Sequence, residues 1–280
     1  MKKYKYPKLS LLQDKSLFSK KVYLKDILKG DKDKNQYKVF LGKNDNKENV
    51  WIDLSNDYGI IITGSTGSGK SLFIDSLLIT LLFKNSPQDL KLVLIDSKMV
   101  ELEVYRRLPH NLYDVATSNK MALNYLKNLK EELEYRKKIF KGQKIIDFHN
   151  YNGKNKFSKM PLILLVIDET YNIFQDKESE KIIIELIKEG YKYGINVIMS
   201  TNIVHKEYIT SKLKNKVSYK ISFDLTSKED SKIVGVKNAE LLRIGEMIAI
   251  GEDKIDRINA PYITDLEINK VIDYIIKKNN

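Results

Sequence analysis

The chain has 280 residues, of which 42% are hydrophobic and 31% are charged, so it can bury a substantial core and is not a disordered or fibrous protein. It has no cysteine, which excludes disulfides, thiolate metal sites and cysteine nucleophiles, and its three histidines are too widely spaced to indicate a zinc site. The net charge is +12, and only five of the 49 basic residues are arginines. This excess indicates a polyanionic partner, nucleic acid first and a membrane surface second, although an AT-rich coding sequence would also enrich lysine.

No segment of the sequence predicts secretion or membrane insertion. The first twelve residues contain lysines but no apolar run of signal-peptide length. The most apolar stretch, residues 72–83, contains Asp75 and is too short to cross a bilayer. We therefore expect a soluble, cytoplasmic protein.

Residues 1–54 differ in composition from the rest of the chain, because they are rich in Lys, Asp and Asn. Their pattern predicts a short helix at residues 22–28 and two strands at residues 38–41 and 50–54, joined by a turn. We interpret this part as a short N-terminal arm with a strand pair, followed by the main domain at residues 55–280.

In the main domain, short apolar strands alternate with amphipathic helices, which indicates an α/β fold with a mainly parallel sheet. The strands are near-continuous apolar runs, as expected when helices cover both faces of the sheet. The predicted strands span residues 60–63, 91–95, 162–167, 196–200, 217–223 and 247–250. The predicted helices span residues 70–83, 119–140, 177–193, 206–215, 227–234 and 264–278.

The sharpest motif is an eight-residue P-loop, GSTGSGKS, which lies between a predicted strand and a predicted helix. In such a loop the glycines allow backbone angles that other residues resist, and backbone N–H groups surround phosphates at the helix N-terminus. The lysine contacts the β- and γ-phosphates, and the last serine ligates Mg²⁺. The predicted ATP-binding residues are Gly64, Ser65, Thr66, Gly67, Ser68, Gly69, Lys70 and Ser71, with Ser71 also a metal ligand.

A second motif is the apolar strand at residues 162–167, which ends in two adjacent acids, Asp168 and Glu169. In a P-loop enzyme the first acid holds Mg²⁺ and the second polarises the attacking water. Successive strand residues point to opposite faces, so the two carboxylates can serve separate roles. We therefore predict Asp168 as a metal ligand and Glu169 as the general base, which favours ATP hydrolysis over simple nucleotide binding.

The strand at residues 196–200 is followed by two polar residues, Thr201 and Asn202. In ATPases with this layout, the tip of such a strand senses the γ-phosphate. Either residue can serve as this sensor; a simple polar loop start is the alternative, and we include Asn202 among the predicted nucleotide contacts.

Taken together, these blocks resemble the FtsK/SpoIIIE family of double-stranded DNA translocases. The most specific block is residues 96–105, DSKMVELEVY, which P-loop proteins in general lack. The resemblance covers about residues 20 to 255. The matching blocks, in chain order, are residues 22–28, 38–43, 64–71, 96–105, 109–110, 162–169, 194–201 and 220–231.

The resemblance implies a RecA-like core that assembles as a hexameric ring around duplex DNA, with ATP bound between subunits. It also implies a reduced, stand-alone motor of the kind found on mobile elements. Ring ATPases use a cation from the neighbouring subunit at the transferred phosphoryl group. Where the family has arginines, this chain has Lys220 and Lys232, and we predict Lys220 as the catalytic cation in trans. Arg243 and Arg257 are the fallback donors.

Ring motors grip DNA with loops that face the pore, and the resemblance places such a loop at residues 205–220. Lysines contact phosphates without reading bases, which suits a motor that moves over any sequence. The predicted DNA-binding residues are Lys206, Lys212, Lys214 and Lys216, with Tyr208 and Tyr219 nearby. Residues 141–159, with Phe148, Tyr151 and Phe157, are a second candidate, and a solvated helix face is the alternative for both segments.

We therefore predict an ATP-dependent double-stranded DNA translocase that uses ATP and Mg²⁺ and acts as a homo-oligomeric ring. A conjugation coupling or replication ATPase that recruits a relaxase or an initiator is one alternative. A nucleotide-binding scaffold without turnover is another, although intact Lys70, Ser71, Asp168 and Glu169 argue against it.

Overall fold

The computed structural model describes residues 3–13, 21–207, 209, 211–251 and 254–279, and of Ser211 and Lys212 only the backbone. Two predicted features, the side chain of Lys212 and the whole of Tyr208, therefore lie outside the described residues.

The described strands form one large sheet and one small sheet. They are β1 (Val22–Tyr23), β2 (Lys38–Asn44), β3 (Asn49–Asp53), β4 (Ile60–Thr63), β5 (Leu90–Asp96), β6 (Leu162–Asp168), β7 (Ile195–Thr201), β8 (Tyr219–Ser222), β9 (Glu246–Ile250), β10 (Ile255–Asn259) and β11 (Pro261–Tyr262). In the described residues the large sheet has nine strands in the order β3-β2-β10-β9-β8-β4-β7-β6-β5, and β1 pairs with β11 in the small one.

Half of the large sheet is parallel and half is antiparallel. Strands β8, β4, β7, β6 and β5 pair in parallel, which confirms the predicted parallel core. Strands β9, β10, β2 and β3 extend it with antiparallel pairs. Strand β4 lies between two parallel neighbours, β8 and β7, and the carboxyl ends of such strands are a favourable position for a ligand.

Helices cover both faces of the large sheet. They are α1 (Leu24–Gly30), α2 (Lys70–Lys84), α3 (Asn119–Gly142), α4 (Phe148–Lys154), α5 (Thr170–Phe174), α6 (Lys177–Glu189), α7 (Ser211–Lys214), α8 (Lys228–Val234) and α9 (Asp265–Asn279). Within the described ranges, no helix is long and apolar enough to span a bilayer.

The sheet separates two apolar layers because alternate residues of a strand point to opposite faces. On β4, Ile60 and Ile62 pack with α2 and α9, whereas Ile61 packs with α3 and α6. All three isoleucines are buried. The P-loop helix α2 is itself buried along most of its length, so the loop before it rests on a rigid support.

The N-terminal strands are continuous with the large sheet. Ile258 of β10 pairs with Asn44 of β2, and Val39 and Leu41 join the same apolar layer as α2. In the structure, the strand pair and the main domain share one sheet and one layer of core. The division of the chain into two domains at residue 54 stays a prediction.

One sequence-based expectation is wrong in detail. Among the described residues of the helix expected over 206–215, only the short α7 is helical, and the described apolar side chains buried there are Ile209 and Leu213, too few to support ten helical residues. The second DNA-binding candidate, residues 141–159, contains α4, where Phe148 and Tyr151 are buried and contribute to packing, while Phe157 is fully exposed. A DNA contact by this segment stays a prediction.

Candidate functional site

The P-loop lies where the sequence predicts it, between the end of β4 at Thr63 and the start of α2 at Lys70. The loop is fixed from both sides by backbone hydrogen bonds. Ser65 N–H donates to the carbonyl oxygen of Asp224 at 2.8 Å, and Gly245 N–H donates to that of Ser68 at 2.9 Å. Segments that follow β8 and precede β9 therefore hold the loop in place.

Two of the loop glycines are required by the geometry. Gly69, which precedes the first residue of α2, has φ 105°, in the left-handed region that side chains disfavour. A Cβ atom on Gly64 would lie 2.7 Å from the Cβ of Phe223, so a larger residue would push β8 away from the loop. Because α2 starts here, its first N–H groups have no partner within the helix and face the loop.

Lys70 and Asp168 meet below the loop. The Nζ atom of Lys70 is 3.7 Å from Oδ1 of Asp168, and both side chains are buried. Ser200 at the end of β7 donates its hydroxyl to the same Oδ1 at 2.5 Å, which orients the carboxylate. Ser71 is the next residue of α2, and its role as a metal ligand together with Asp168 stays a prediction.

Glu169 lies beside Asp168 with its carboxylate held by two groups. Lys98, in the loop after β5, places its Nζ atom 3.3 Å from Oε1. The backbone N–H of Asn202 donates to Oε2 at 3.4 Å. The Glu169 backbone has φ 53° in the left-handed region, an unusual conformation for a residue with a side chain.

Of the two sensor candidates, the geometry favours Asn202. Its side-chain Nδ2 donates to Oγ1 of Thr66 in the P-loop at 3.4 Å. The hydroxyl of Thr201 instead bonds the backbone of Ile203, and Thr201 is buried. Asn202 thus contacts both the P-loop and Glu169, as a residue that links phosphate to base must.

The donor set fits a nucleoside triphosphate with Mg²⁺. Two buried polar atoms at the loop, Ser68 Oγ and Asn202 Oδ1, have no hydrogen-bond partner among the described residues, which is what a site built for a polar ligand leaves open. Elsewhere in the described chain no cluster of three acidic or histidine side chains could hold a metal. A cation held by Asp168, Ser71 and phosphate oxygens needs no such cluster.

A further carboxylate is buried in α2, one turn after Ser71. Asp75 accepts a hydrogen bond from the Tyr105 hydroxyl at 2.6 Å. Burial raises the pKa of Asp75 to about 7, and the charges of Glu101, Asp265 and Asp168 act in the same direction. The Tyr105 hydrogen bond opposes this rise in pKa but does not cancel it.

The predicted DNA-binding lysines differ in their surroundings. Lys206 is exposed and pairs with Glu229 at 3.5 Å, and Lys216 is half-buried. The Nζ of Lys214 donates a hydrogen bond to the carbonyl oxygen of Ile233 at 2.5 Å, so this ammonium group is engaged within the fold. Burial lowers the pKa of Lys214, and the neighbouring charge of Lys220 lowers it further.

Lys220, the predicted cation in trans, lies on β8 in register with Ile61 of β4 and Ile250 of β9. It is half-buried and lies near Lys214. Of the fallback donors, Arg257 forms an ion pair with Glu246 at 2.7 Å, and Arg243 is exposed in the turn that holds the P-loop. Which cation acts in trans stays a prediction.

Sequence reasoning missed three parts of the site. Lys98 lies within the block of residues 96–105, but the pattern gave no sign that it pairs with Glu169. Ser200 ends a strand that was predicted, without any role for its hydroxyl. The turn at Gly245, which holds the P-loop, is 176 residues after Gly69 and has no local signal. It lies so close that a Cβ atom on Gly69 would be 3.3 Å from the backbone nitrogen of Gly245.

Comparisons with known proteins agree with this architecture. The family model of the FtsK/SpoIIIE family matches residues 24–250. The chain is 34% identical over 267 residues to the DNA translocase FtsK of Campylobacter jejuni serotype O:2, and 31% identical over 268 residues to that of Helicobacter pylori J99. Each alignment covers 91% of this chain but only 28% and 32% of the relative, so the chain spans about a third of their length.

Solved structures with the same fold come from several systems. The pCW3 conjugation coupling protein TcpA superposes with a TM-score of 0.78 at 23% identity, over 92% of this chain and 75% of its own. The cytoplasmic domain of the type VII secretion ATPase EccC of Thermomonospora curvata gives 0.78 at 19% identity, over 92% of this chain and 34% of its own. At such identities the similarity establishes the fold.

Proposed function

The chain belongs to the FtsK/SpoIIIE family, and from that premise we propose that it is an ATP-dependent motor that translocates double-stranded DNA. The relatives named above are DNA translocases, and the +12 net charge of the chain suits a polyanionic track. The observation that carries the proposal is the meeting of Lys70, Asp168 and Glu169 at the carboxyl end of the parallel strands.

Each of these residues has a role that its position supports. Lys70, buried beside the loop, would place its charge on the β- and γ-phosphates. Ser71 and Asp168 would hold Mg²⁺, which when bound neutralises phosphate charge. Glu169 would take a proton from the attacking water, and Asn202 would report on the γ-phosphate through its contacts to Thr66 and Glu169.

The central test is steady-state ATP hydrolysis with and without long duplex DNA. We expect DNA to stimulate turnover of the wild-type chain. Glu169→Gln should bind ATP with wild-type affinity and hydrolyse it at least 100-fold more slowly, roughly the lower limit of a general base's contribution. A wild-type chain that binds ATP but never turns it over with DNA would support the scaffold alternative instead.

DNA contacts are tested by salt dependence. We expect replacement of Lys206, Lys212 and Lys216 with Ala to lower the slope of log affinity against log salt by about 2.7, which is three phosphate contacts at about 0.9 each. Lys214 is left intact because it bonds the Ile233 carbonyl. The matched control replaces Lys120, Lys127 and Lys138, exposed on α3, and should leave the slope unchanged.

We further propose that the active form is a ring, hexameric as the family resemblance implies, in which Lys220 acts on the nucleotide of the neighbouring subunit. Mixing Lys220→Ala chains with Glu169→Gln chains tests this, because some mixed interfaces then pair an intact Glu169 with an intact Lys220. Activity that neither variant has alone supports the proposal. Normal DNA-stimulated turnover by Lys220→Ala would shift the role to Arg243 or Arg257.

A conjugation coupling role is the second candidate, since TcpA, described as a conjugation coupling protein, has the same fold. Such a motor would use the same ATP chemistry but recruit a relaxase or a replication initiator. Retention of a purified relaxase on the immobilised chain, tested with and without ATP, separates this role from DNA translocation alone.

A further inference from the structure

The carboxylate of Glu169 has little freedom in this structure. Lys98 lies at ion-pair distance from one oxygen, and the Asn202 N–H donates to the other. The side chain of Glu169 is only 5% exposed. Each oxygen of this buried carboxylate therefore already has one polar partner.

Lys98 is held in place by the backbone of its own loop. The carboxylate of Asp96, at the end of β5, accepts hydrogen bonds from the N–H groups of Lys98, Val100 and Leu102 at 3.1, 3.0 and 2.9 Å. Ser97 is tied to α5 through Asn172, whose Nδ2 donates to its hydroxyl at 2.8 Å. The position of the Lys98 backbone is thus fixed by five residues of β5, its loop and α5.

The Lys98 side chain, in contrast, can leave. It is 48% exposed, so water can solvate its ammonium group when it leaves, while the Glu169 carboxylate that it leaves behind is only 5% exposed. The residues on both sides of the ion pair are conformationally unusual, since Met99 has φ 55° and Glu169 has φ 53°. Such backbone conformations are concentrated at functional sites, where surrounding contacts maintain them.

We propose that Lys98 is a positioning residue that holds Glu169 in a resting orientation, and that its ammonium group must leave before ATP is hydrolysed. The inference rests on the proposed role of Glu169 as general base. In hydrolysis the water oxygen bonds to the γ-phosphorus, the bond to the β–γ bridging oxygen breaks with its electron pair passing to ADP, and the water proton passes to Glu169. The ammonium charge of Lys98 beside Glu169 favours the ionised carboxylate and so makes it a weaker acceptor for that proton.

The test is DNA-independent turnover of Lys98→Met. We expect it to rise about two- to fivefold, which corresponds to a weak ion pair made by a half-exposed lysine. The DNA-saturated rate should stay near wild type, so the stimulation by DNA falls by the same factor. Lys98→Arg keeps the charge and should retain the wild-type basal rate. The control Lys130→Met removes a lysine of similar exposure from its ion pair with Glu185, whose side chain is 26% exposed, and should change neither rate.

Two further measurements separate this role from a structural one. The double variant Lys98→Met with Glu169→Gln should lose the extra turnover, because the effect acts through Glu169. Binding of a fluorescent ATP analogue should be unchanged in Lys98→Met. Lys98→Gln serves as the neutral variant if the methionine variant does not fold.

Basal turnover of Lys98→Met and Lys98→Gln at or below wild type would overturn the proposal. So would weaker binding of the analogue, since Lys98 would then serve the phosphates. Measuring the turnover of the wild type with DNA alongside these variants distinguishes a failure of the Lys98 proposal from a failure of the proposed motor function. If the wild type turns over, only the role of Lys98 fails, whereas a wild type that never turns over contradicts the motor itself.

Discussion

Asp75 should make the folded state less stable as the pH rises through neutrality. Its carboxyl group is buried in α2, where burial raises its pKa to about 7, against about 3.9 for an unfolded aspartate. Between these two values the folded state binds more protons than the unfolded state, so the free energy of unfolding falls as pH rises. Above pH 8 the folded chain carries the full cost of a buried charge.

The size of the effect follows from the difference in pKa. Three units at 1.36 kcal/mol each give a loss of about 4 kcal/mol between pH 4 and pH 8. Asp75→Asn removes the charge but keeps an oxygen to accept the Tyr105 hydroxyl. We therefore expect the variant to lack this part of the pH dependence and to be more stable than wild type at pH 8.5.

Urea unfolding at pH 5 and pH 8.5 measures the effect, with the free energy of unfolding of wild type subtracted from that of Asp75→Asn at each pH. The difference should be a few kcal/mol larger at pH 8.5. Asp273→Asn, on the exposed side of α9, is the matched control and should show no such change. The same difference at both pH values would refute the reasoning, because Asp75 would then titrate alike in both states.

Three further predictions concern individual contacts. Gly194→Ala should lower the free energy of unfolding, measured in urea, by about 2 kcal/mol or more. The backbone φ of Gly194 is 73°, and the new Cβ atom would lie 2.3 Å from Phe148 Cδ2. The control Gly153→Ala has open space around the new Cβ atom and should be neutral or stabilising. Arg136→Met should lower the free energy of unfolding by about 3–5 kcal/mol, because the buried guanidinium donates hydrogen bonds to the carbonyl oxygens of Pro161, Tyr193 and Gly194. Lys137→Met, near the surface, is the control and should change the free energy of unfolding very little. Lys70→Ala should abolish binding of a fluorescent ATP analogue, and retained affinity would show that backbone N–H groups alone hold the phosphates.

The sequence by itself was enough to locate the chemistry of the site. A P-loop is a contiguous motif whose function depends on local backbone geometry, so residues 64–71 are readable without a fold. The apolar run that ends at Asp168 and Glu169 is also a local pattern. The strands before the two motifs, β4 and β6, lie where the apolar pattern of the sequence predicts them. Because carboxyl ends of parallel strands meet at one edge, the meeting of Lys70 with Asp168 follows from these two motifs.

The antiparallel half of the sheet was not predictable in the same way. Strand β10, IDRIN, buries only Ile258, so its own pattern is too weak to indicate a strand. It pairs with its chain neighbour β9, but its pairing with β2 joins residues more than 200 positions apart, such as Ile258 and Asn44. The short length of α7 was not predictable from its sequence either. Among the described residues of this segment, the buried apolar side chains are Ile209 and Leu213, and two such side chains are too few to stabilise a longer helix.

The arrangement of Glu169 was decided only by tertiary structure. Lys98 and Asn202 belong to loops after β5 and β7, and the strand order brings them to the two sides of β6, which ends beside Glu169. No sequence spacing encodes that order, because it results from packing all strands and helices at once. The sequence therefore determined which residues we predict to perform the chemistry, while the fold determined which cation and which N–H group contact Glu169.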